Sequence, residues 1–400
     1  MIDTEIGVVL NNKMILIEND TIKKIADNIE IPKNALVIDL SNATVLPGLI
    51  DCHTHLTFQS GDNYYEMFRK SIVDYAVLAP SYAKNTLGAG FTSVRDVGAE
   101  SFLDVALKKA IDDGKISGPR MQTATYYISS TGGHGDLVGF SPRLSFNNGP
   151  KEMTGIADGV DDVRQKVRYL IKHGAGVIKF GASAGVLSEE ESVGAPQYSQ
   201  EEMNAIVSEA KMWGRKTCAH AHGAKAINMA IKSGVASVEH GSFVDDEGIA
   251  LMRKNGTYLV ADIYVDDYIL AEYGKLGFPE DIINKEKIVG LIQRQNFQKA
   301  HKAGVKIAFG SDAGVYPHGW NGKQFYHMVK WGMTPMQAIQ SATINASDLM
   351  GWEDKVGSIA VGKYADIIAV VGNPIDDIKL LENVQFVMKG GEVFKNLIEK

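Results

Sequence analysis

The chain has 400 residues, of which 45% are hydrophobic and 22% are charged, and it carries a formal net charge of −7. This composition is typical of a soluble globular protein that is long enough for one large domain and a smaller one. The acidic balance and the lack of any basic cluster argue against a nucleic-acid-binding protein. No stretch approaches the roughly 18 apolar residues that a membrane span requires.

The start of the chain lacks the basic region and apolar core of a signal peptide, so the sequence as written predicts a cytoplasmic protein. A signal peptide removed upstream of this start would indicate the periplasm instead. The two cysteines, Cys52 and Cys218, are too few for a disulfide framework. We predict that they pack beside the site described below and do not bind a metal.

Both ends of the chain carry patterns typical of short β-strands. At the start, "GVVLNNKMILIEND" predicts two strands joined by a turn at Asn11 and Asn12, and "ALVIDLSNATVLPG" continues in the same style. The end of the chain returns to strand pairs with glycine turns, in "GSIAVGKYADIIAVVG" and "VQFVMKGGEVFK". We therefore predict one small β-sandwich domain composed of residues 1–46 and 355–400.

The middle of the chain, residues 47–354, alternates between short apolar strands and amphipathic helices. Eight strands are recognisable, and the helical stretches include "SQEEMNAIVSEAKMWG", "GAKAINMAIKSG" and "KEKIVGLIQRQNFQKAHKAG". Several helices are followed by a glycine, which favours helix termination. Eight β-then-α units predict an α/β fold of the (β/α)8 TIM-barrel type, with functional residues at the carboxyl ends of the strands. The competing doubly wound sheet would carry a glycine-rich GxGxxG fingerprint, which is not recognisable in this sequence.

One connection is too long for a simple loop. Residues 129–159 read "SSTGGHGDLVGFSPRLSFNNGPKEMTGIADG", rich in Gly, Ser and Asn with few periodic apolar positions. Long loops of this kind inside compact domains are usually functional or disordered. Because the connection follows the third strand, we predict that it lies over the barrel mouth as a lid.

Histidines and an aspartate occur where the predicted strands end. His53 and His55 end the first strand in "LPGLIDCHTHL", and alternate residues of a strand point to the same side. The fifth, sixth and eighth strands end at His220, His240 and Asp312. The strand ends of one barrel converge, and nitrogen and carboxylate ligands without thiolates suit Zn²⁺, with Mn²⁺ or Fe²⁺ as alternatives. We therefore predict a metal site formed by these side chains.

Lys179 lies within the fourth strand, in the apolar context "VIKFG". A bare ammonium is costly to bury there, and metal cations beside it would repel it. Reaction of its amine with CO₂ would convert it into an anionic carbamate that can bridge two metal ions. An ammonium paired with a nearby acid is the alternative that the sequence leaves open.

Together these motifs resemble the metal-dependent amidohydrolase superfamily, over essentially the whole chain and including the tail "VGSIAVGKYADIIAVVGNP". The stretches "STGGHGD", "HAHGAKAI" and "SVEHG" are similar to the group of Xaa-Pro dipeptidase-like (prolidase-like) and imidazolonepropionase-like enzymes. The resemblance implies a homo-oligomer and a binuclear zinc centre, with carboxylated Lys179 between the two metals. It assigns one metal to His53, His55 and Asp312, and the other metal to His220 and His240.

The predicted chemistry is amide hydrolysis. Two cations lower the pKa of a bridging water, so that hydroxide can attack an amide carbonyl near neutral pH. Asp312 binds a metal and also accepts the water proton, which it delivers to the departing amine. His134, in "TGGHGD", is predicted to hydrogen-bond the developing oxyanion or a substrate carboxylate. Either histidine of "HAH" has the spacing of a ligand; the family pattern selects His220, which leaves His222 for the terminal carboxylate of the substrate.

Acids that follow the seventh strand indicate the class of substrate. The stretch "LVADIYVDDY" contains Asp262 and Asp266, and an acid at the barrel mouth disfavours a proline ring but pairs with a guanidinium or ammonium. The chain thus resembles the branch of zinc-dependent carboxypeptidases that remove C-terminal Arg, and also Lys, from dipeptides, short peptides or N-acyl amino acids. The alternatives are an Xaa-Pro dipeptidase, another N-acyl amino acid deacylase, and a barrel that only binds, although the complete ligand set argues against the last.

Overall fold

The computed structural model describes residues 1–60, 63–136, 138, 141, 154–188 and 192–398. The strands are β1 Ile2–Asp3, β2 Val8–Val9, β3 Met14–Glu18, β4 Thr21–Ala26, β5 Ala43–Pro47, β6 Leu49–Thr54, β7 Phe91–Asp96, β8 Arg120–Thr123, β9 Val177–Gly181, β10 Lys216–Ala221, β11 Ser237–His240, β12 Tyr258–Val260, β13 Ile367–Val371, β14 Phe386–Lys389 and β15 Glu392–Asn396. The helices are α1 Ile72–Gly88, α2 Leu103–Asp112, α3 Val160–Lys172, α4 Gln200–Met212, α5 Ala224–Ser233, α6 Asp246–Asn255, α7 Val265–Tyr268, α8 Glu280–Lys302, α9 Lys323–Lys330, α10 Pro335–Ser341 and α11 Ile344–Met350.

Two parallel arcs of strands form most of a barrel. Strands β6, β7 and β8 pair in that order, and β9, β10, β11 and β12 pair in that order. The arcs join at Ile128, whose amide donates to the Lys179 carbonyl at 3.0 Å and whose carbonyl accepts from the Gly181 amide at 2.9 Å. Helices follow the strands, as in a (β/α)8 barrel, so the predicted fold class is confirmed.

The eighth strand position closes the barrel without a regular ladder. The Leu259 amide in β12 donates to the Lys306 carbonyl at 2.9 Å, and the Cys52 amide in β6 donates to the Phe309 carbonyl at 2.9 Å. The segment from 305 to 309 therefore bonds to both neighbouring strands. The chain then turns to present Asp312 beside β6.

Local sequence signals explain where the barrel helices begin and end. Helix α4 starts with a capping box, in which Ser199 and Glu202 satisfy each other's backbone amides. Helix α5 ends at Gly234, which adopts a φ of 94° that is accessible mainly to glycine. The three helical stretches read from the sequence correspond to α4, α5 and α8.

Segments from both ends of the chain form the smaller β-sandwich domain. Strand β5 pairs antiparallel with β13, which continues to β14 and β15. The hairpin of β3 and β4 packs on this sheet through a buried cluster that includes Ile22, Ile367 and Phe386. Burial of these side chains, rather than any covalent link, holds the two ends together.

The hairpin predicted at Asn11 and Asn12 is wrong. Strand β2 pairs with β1, and β3 pairs instead with β4 across a turn at Asn19. Asn19 adopts a φ of 56°, which a tight hairpin turn requires, and the β3–β4 register buries Ile22 completely. Asn12 also has a positive φ, but it links two hairpins.

Both cysteines are free and buried: Cys52 lies on β6 and Cys218 on β10. Each sits in an apolar cluster, so its environment is that of a packed core side chain. Within the described part of the chain, no helix is both long and apolar enough to cross a membrane.

Candidate metal centre and active-site cavity

Three barrel strands bring imidazole rings to one point. The ring centroids of His53, in β6, and His240, which ends β11, lie 5.0 Å apart. The His220 ring, in β10, lies 4.5 Å from that of His240. The Asp312 amide donates to the His53 carbonyl at 2.8 Å, which holds Asp312 at the same place. The carboxyl ends of the strands thus converge as the sequence predicted.

The first candidate metal group consists of His53, His55 and Asp312, whose ligand atoms lie within 4.8 Å of one another. The Nε2 atoms of both histidines are 3.4 Å from Asp312 Oδ1. Their Nδ1 atoms bond elsewhere: that of His53 to Glu239 Oε2 at 2.9 Å, and that of His55 to the Gly98 carbonyl at 3.1 Å. These bonds fix both rings so that Nε2 faces the shared space.

The second candidate group consists of His220, His222 and His240, again within 4.8 Å. The Nε2 atom of His220 is buried and has no hydrogen-bond partner among the described residues. A buried nitrogen without a partner is costly unless another group, such as a metal ion, binds it. The His222 ring lies 4.8 Å from the centroid of His220 and stacks on His240, also at 4.8 Å.

The backbone is strained at two of these positions. His240 has a φ of 66° and Asp312 a φ of 56°, in the left-handed region that residues with a Cβ rarely adopt. Each such residue costs about 1–2 kcal/mol. Strain of this kind concentrates at functional sites, where the surrounding fold holds a side chain in a required direction.

A buried ion pair that the sequence analysis missed supports His53. Arg95 in β7 donates to Glu239 Oε1 at 2.9 Å, and Glu239 Oε2 bonds to His53 Nδ1. Both charged side chains are essentially inaccessible to solvent. Arg95 also donates to the Cys52 carbonyl at 2.6 Å. The only sequence signal was their position, since Glu239 directly precedes His240 and Arg95 lies within a barrel strand.

Asp262 lies against His240 in the structure. Both of its carboxylate oxygens are 2.9 Å from His240 Nδ1, and Gln293 Nε2 donates to Oδ1 at 3.1 Å. Burial lowers the pKa of His240, but the Asp262 charge and hydrogen bond outweigh it and raise that pKa. Asp262 borders the cavity, but its oxygens are already engaged by these two donors.

Lys179 lies in β9, borders the same cavity as both candidate groups and is 1% exposed. Its Nζ is 5.9 Å from the centroid of the Tyr127 ring. Burial lowers its pKa, and the attraction of Glu239 offsets part of this effect. A lowered pKa increases the fraction of the lysine that carries a neutral, nucleophilic amine.

The protonation states suit a cation site. Burial, followed by repulsion from Lys179, lowers the pKa of His53 well below its usual range. Burial and repulsion from His134 do the same for His220. Burial alone would raise the pKa of Asp312, but His53 and His55 lower it below its usual range. Neutral imidazoles of His53 and His220 with an ionised Asp312 are donors that Zn²⁺ and similar divalent ions bind, so these residues fit such ions. Against the effect of burial, Asp312 raises the pKa of His55 and Asp262 that of His240, so a cation would displace a proton there.

His134 packs against the second group. Its ring stacks on that of His220 with centroids 4.1 Å apart, and its Nδ1 lies 2.8 Å from Ser188 Oγ. Gly185 permits this arrangement, because a Cβ there would lie 2.4 Å from His134 Cε1 and 2.8 Å from His220 Nε2. The structure thus brings His134 to the site, at the end of a segment that was predicted to be a lid.

A cavity of about 580 Å³ opens from the candidate metal groups, a volume typical of small-molecule sites. Its lining is largely apolar and includes Phe58, Tyr75 and Leu187. Residues 134–136 and 154–156, at the two ends of the predicted lid, also border it. Of that segment, residues 137, 139, 140 and 142–153 lie outside the described residues.

The remaining predicted site residues also face this cavity. His222 Nδ1 is 2.7 Å from Ser242 Oγ, and the His222 amide donates to Ser183 Oγ at 2.9 Å. Asp266, in α7, is 1% exposed and lies beside Glu286 of α8, which the sequence analysis did not single out. Both acids border the cavity. Only the packing of α8 against α7 brings Glu286 there, so no local motif indicates it.

The geometry agrees with the comparisons to known proteins. A family model described as "Amidohydrolase family" matches residues 44–394. A solved structure of a Xaa-Pro dipeptidase with methionine bound in its active site superposes with a TM-score of 0.94 at 41% identity, covering 99% of this chain and 98% of that one. A prolidase complexed with N-methylphosphonate-L-proline gives 0.91 at 32% identity, covering 99% and 97%.

Among curated sequences, the ochratoxinase of Aspergillus niger is 36% identical over 416 residues, which cover 97% of this chain and 84% of the relative. The matched family range runs from 44 to 394 and therefore contains every candidate ligand from His53 to Asp312.

Proposed function

The chain belongs to the amidohydrolase family and is an amide-hydrolysing enzyme, and from this premise we propose that it is a zinc-dependent carboxypeptidase or dipeptidase. Its substrates are dipeptides, short peptides or N-acyl amino acids, and the bond cleaved is the amide before the C-terminal residue. The observation that carries the proposal is the convergence of His53, His220, His240 and Asp312 on one end of the apolar cavity.

Two divalent metal ions, zinc by the character of the ligands, complete the centre. His53, His55 and Asp312 hold one ion, and His220 and His240 hold the other. The unpartnered Nε2 of His220 and the shared direction of the first two Nε2 atoms support this assignment. When bound, the ions acidify a water molecule and polarise the amide carbonyl.

Lys179 is proposed to carry a carboxyl group derived from CO₂. Its lowered pKa leaves a fraction of neutral amine, which forms a nitrogen–carbon bond with CO₂ and releases a proton. The product is an anion, which divalent cations held by the neighbouring ligands would stabilise. The burial of Lys179 and its electrostatic effect on both His53 and His220 support this role.

Asp312 and His134 handle the proton and the developing charge. Because the pKa of Asp312 is held low, the side chain is ionised at neutral pH and accepts a proton only briefly. It therefore relays the water proton to the departing nitrogen. His134, fixed by Ser188, hydrogen-bonds the oxyanion or a substrate carboxylate, and His222 contacts the terminal carboxylate.

For the substrate side chain, we propose C-terminal Arg, and also Lys, as the sequence indicated. Asp266 in the cavity wall supports this choice, since a buried carboxyl attracts a cationic head. Asp262, which the sequence also indicated, would have to share its oxygens with His240 and Gln293. The apolar lining of the cavity favours a second candidate: release of an apolar residue or proline, or deacylation of another N-acyl amino acid.

A substrate panel tests the proposal. Zinc-loaded protein prepared with bicarbonate is given N-acetyl amino acids and Ala-Xaa dipeptides ending in Arg, Lys, Met, Phe or Pro, and the released amino acid is measured. Release of Arg and Lys supports the proposed specificity. Release confined to Met, Phe or Pro selects the second candidate, and no release of any residue contradicts amide hydrolysis before a C-terminal residue.

We further propose that the enzyme forms a homo-oligomer. Val73 and Val77, on successive turns of α1, are 64% and 71% exposed, and exposed apolar side chains in a row are typical of contact surfaces. Light scattering should give a mass that is a multiple of 43.4 kDa. A mass of one chain would contradict this proposal.

A further inference from the structure

Two acids form a buried pair in one wall of the cavity. Asp266 at the start of α7 is 1% exposed, and Glu286 in α8 is 2% exposed. Gly290 lies beside both, since a Cβ there would be 3.0 Å from Glu286 Oε1 and 3.1 Å from Asp266 Cγ. Acids are almost never this buried unless they are paired with a cation or bind one.

Nearby positively charged groups compensate the negative charge of the two acids only in part. Asp266 and Glu286 hydrogen-bond each other through their side chains. Apart from this contact, Asp266 Oδ2 and Glu286 Oε1 are buried without a well-directed hydrogen bond from a donor in the described part of the chain. The Nε of Arg294 lies 3.2 Å from Asp266 Oδ2, but the same guanidinium donates to Asp267 Oδ1 at 2.7 Å. One arginine therefore faces three acids, and a further positive charge would be favourable at the pair.

The pKa values of both acids are raised, as expected where several carboxyl groups are buried close together. Burial first, and then repulsion from Glu286, raises the pKa of Asp266 well above its usual range. Burial raises the pKa of Glu286 and the hydrogen bond with Asp266 lowers it. Repulsion from Asp262 adds to the rise, and Arg294 and His240 act against it. The pair therefore holds a proton to higher pH than exposed carboxyl groups would, and a cation bound beside it would favour release of that proton.

The location of the pair suits the head of a long side chain. Glu286, Val289 and Gln293 lie at helical spacing on one face of α8, and all three border the cavity. Gln293 donates to Asp262, which bonds to His240 in the candidate metal centre. Seven residues of helix span about 10 Å, so Glu286 lies about that far along α8 from Gln293, the residue that reaches the candidate metal centre through Asp262.

The part of the cavity wall beside the pair is apolar. Val265, Ile269 and Val289 border the cavity beside the two acids. Lysine and arginine have apolar stems with a charged head, so an apolar wall that ends in two carboxyl groups matches both parts of such a side chain. Methionine or phenylalanine would match only the wall.

We propose that Asp266 and Glu286 together form a cation subsite that receives the guanidinium or ammonium group of the C-terminal residue of the substrate. The proposal rests on the proposed function, and it assigns the selection of Arg and Lys to this pair. In this proposal Asp262 hydrogen-bonds His240 and does not bind the substrate. Glu286, which is distant in sequence from every motif, helps to select the substrate side chain.

The test compares substrates that differ in the cationic head. N-acetyl-arginine and N-acetyl-norleucine are hydrolysed by the wild type, by Glu286→Gln and by Asp266→Asn, all zinc-loaded. The control is Glu280→Gln, the same change at an exposed position of α8. We expect the ratio of kcat/KM for arginine over norleucine to fall about 10- to 100-fold in the two pair variants, as for loss of a charged hydrogen bond, and to stay constant in the control.

The outcomes separate this proposal from the proposed function. If the wild type prefers arginine and the pair variants keep the ratio while both rates fall together, the pair is structural and the subsite is contradicted. If the wild type releases norleucine but neither arginine nor lysine, both the subsite and the basic specificity are contradicted, while amide hydrolysis remains.

A binding measurement covers variants that are inactive. Calorimetry with free L-arginine, L-lysine and L-norleucine should show that Glu286→Gln weakens binding of the two basic amino acids by a similar factor of about 10–100. If one pair variant fails to fold, as judged by circular dichroism, the other carries the test. Equal binding of L-arginine by wild type and variant overturns the proposal.

Discussion

The replacement Asp262→Asn separates two roles for an acid at the edge of the site. In the structure, both oxygens of Asp262 lie 2.9 Å from His240 Nδ1, and Gln293 donates to one of them. The amide oxygen of asparagine can keep one of these bonds but has no charge. The variant should therefore bind zinc more weakly and leave substrate selection nearly unchanged.

The magnitude follows from the hydrogen bonds. A hydrogen bond to a charged group contributes about 1.5–3 kcal/mol to stability, and a hydrogen bond between neutral groups contributes about 0.5–1.5 kcal/mol. The difference predicts that the metal-free variant is less stable than the metal-free wild type by about 1–1.5 kcal/mol. Loss of a carboxylate behind a ligating histidine typically weakens metal binding about 10- to 100-fold. Such a factor corresponds to about 1.4–2.7 kcal/mol of binding free energy.

The assay is a zinc titration of the metal-free protein against a chelating indicator, with Asp246→Asn as a control at an exposed position of α6. The substrate ratio for N-acetyl-arginine over N-acetyl-norleucine is measured in parallel. Wild-type zinc affinity combined with a lost preference for arginine would refute the reasoning and restore Asp262 to the substrate pocket.

Three further perturbations follow from the packing and charges. Gly185→Ala should lower kcat/KM at least about tenfold without unfolding the protein, because the new Cβ would lie 2.8 Å from His220 Nε2. Steady-state kinetics measure the loss of activity, and thermal unfolding checks that the fold is kept. Arg95→Met leaves Glu239 buried without its partner, so urea unfolding should show a loss of about 3–5 kcal/mol, and wild-type stability would contradict the ion pair. The raised pKa of Glu286 keeps a proton in the native state that the unfolded chain loses. The free energy of unfolding should therefore fall as pH rises above about 4. Glu286→Gln should flatten this fall, and parallel pH curves for the variant and the wild type would contradict the prediction.

The part of the site that the sequence predicted follows from strand geometry. His53 and His55 are two residues apart, and His220, His240 and Asp312 end later strands, so barrel topology alone brings them together. The fold class and the relationship to amidohydrolases followed from the same periodic pattern and motifs, and both are confirmed.

The supporting contacts did not follow from the sequence, because they depend on which helix packs beside which strand. Nothing near Glu286 in the sequence indicates that it meets Asp266, and the side chain of Asp262 could have faced either a substrate or a ligand. The amino-terminal hairpin was wrong for a local reason. Two Asn turns compete there, and burial of Ile22 favours the turn at Asn19.

The measurement that tests the central claim most directly is the number of zinc ions bound per chain when amide hydrolysis reaches its maximum. Metal-free protein is titrated with Zn²⁺ in bicarbonate buffer, and bound zinc and the hydrolysis rate are followed together. A rate that rises to its maximum at two zinc ions per chain, and is lost in His220→Ala, is the predicted result. Full activity with one ion or none would contradict the two-metal centre.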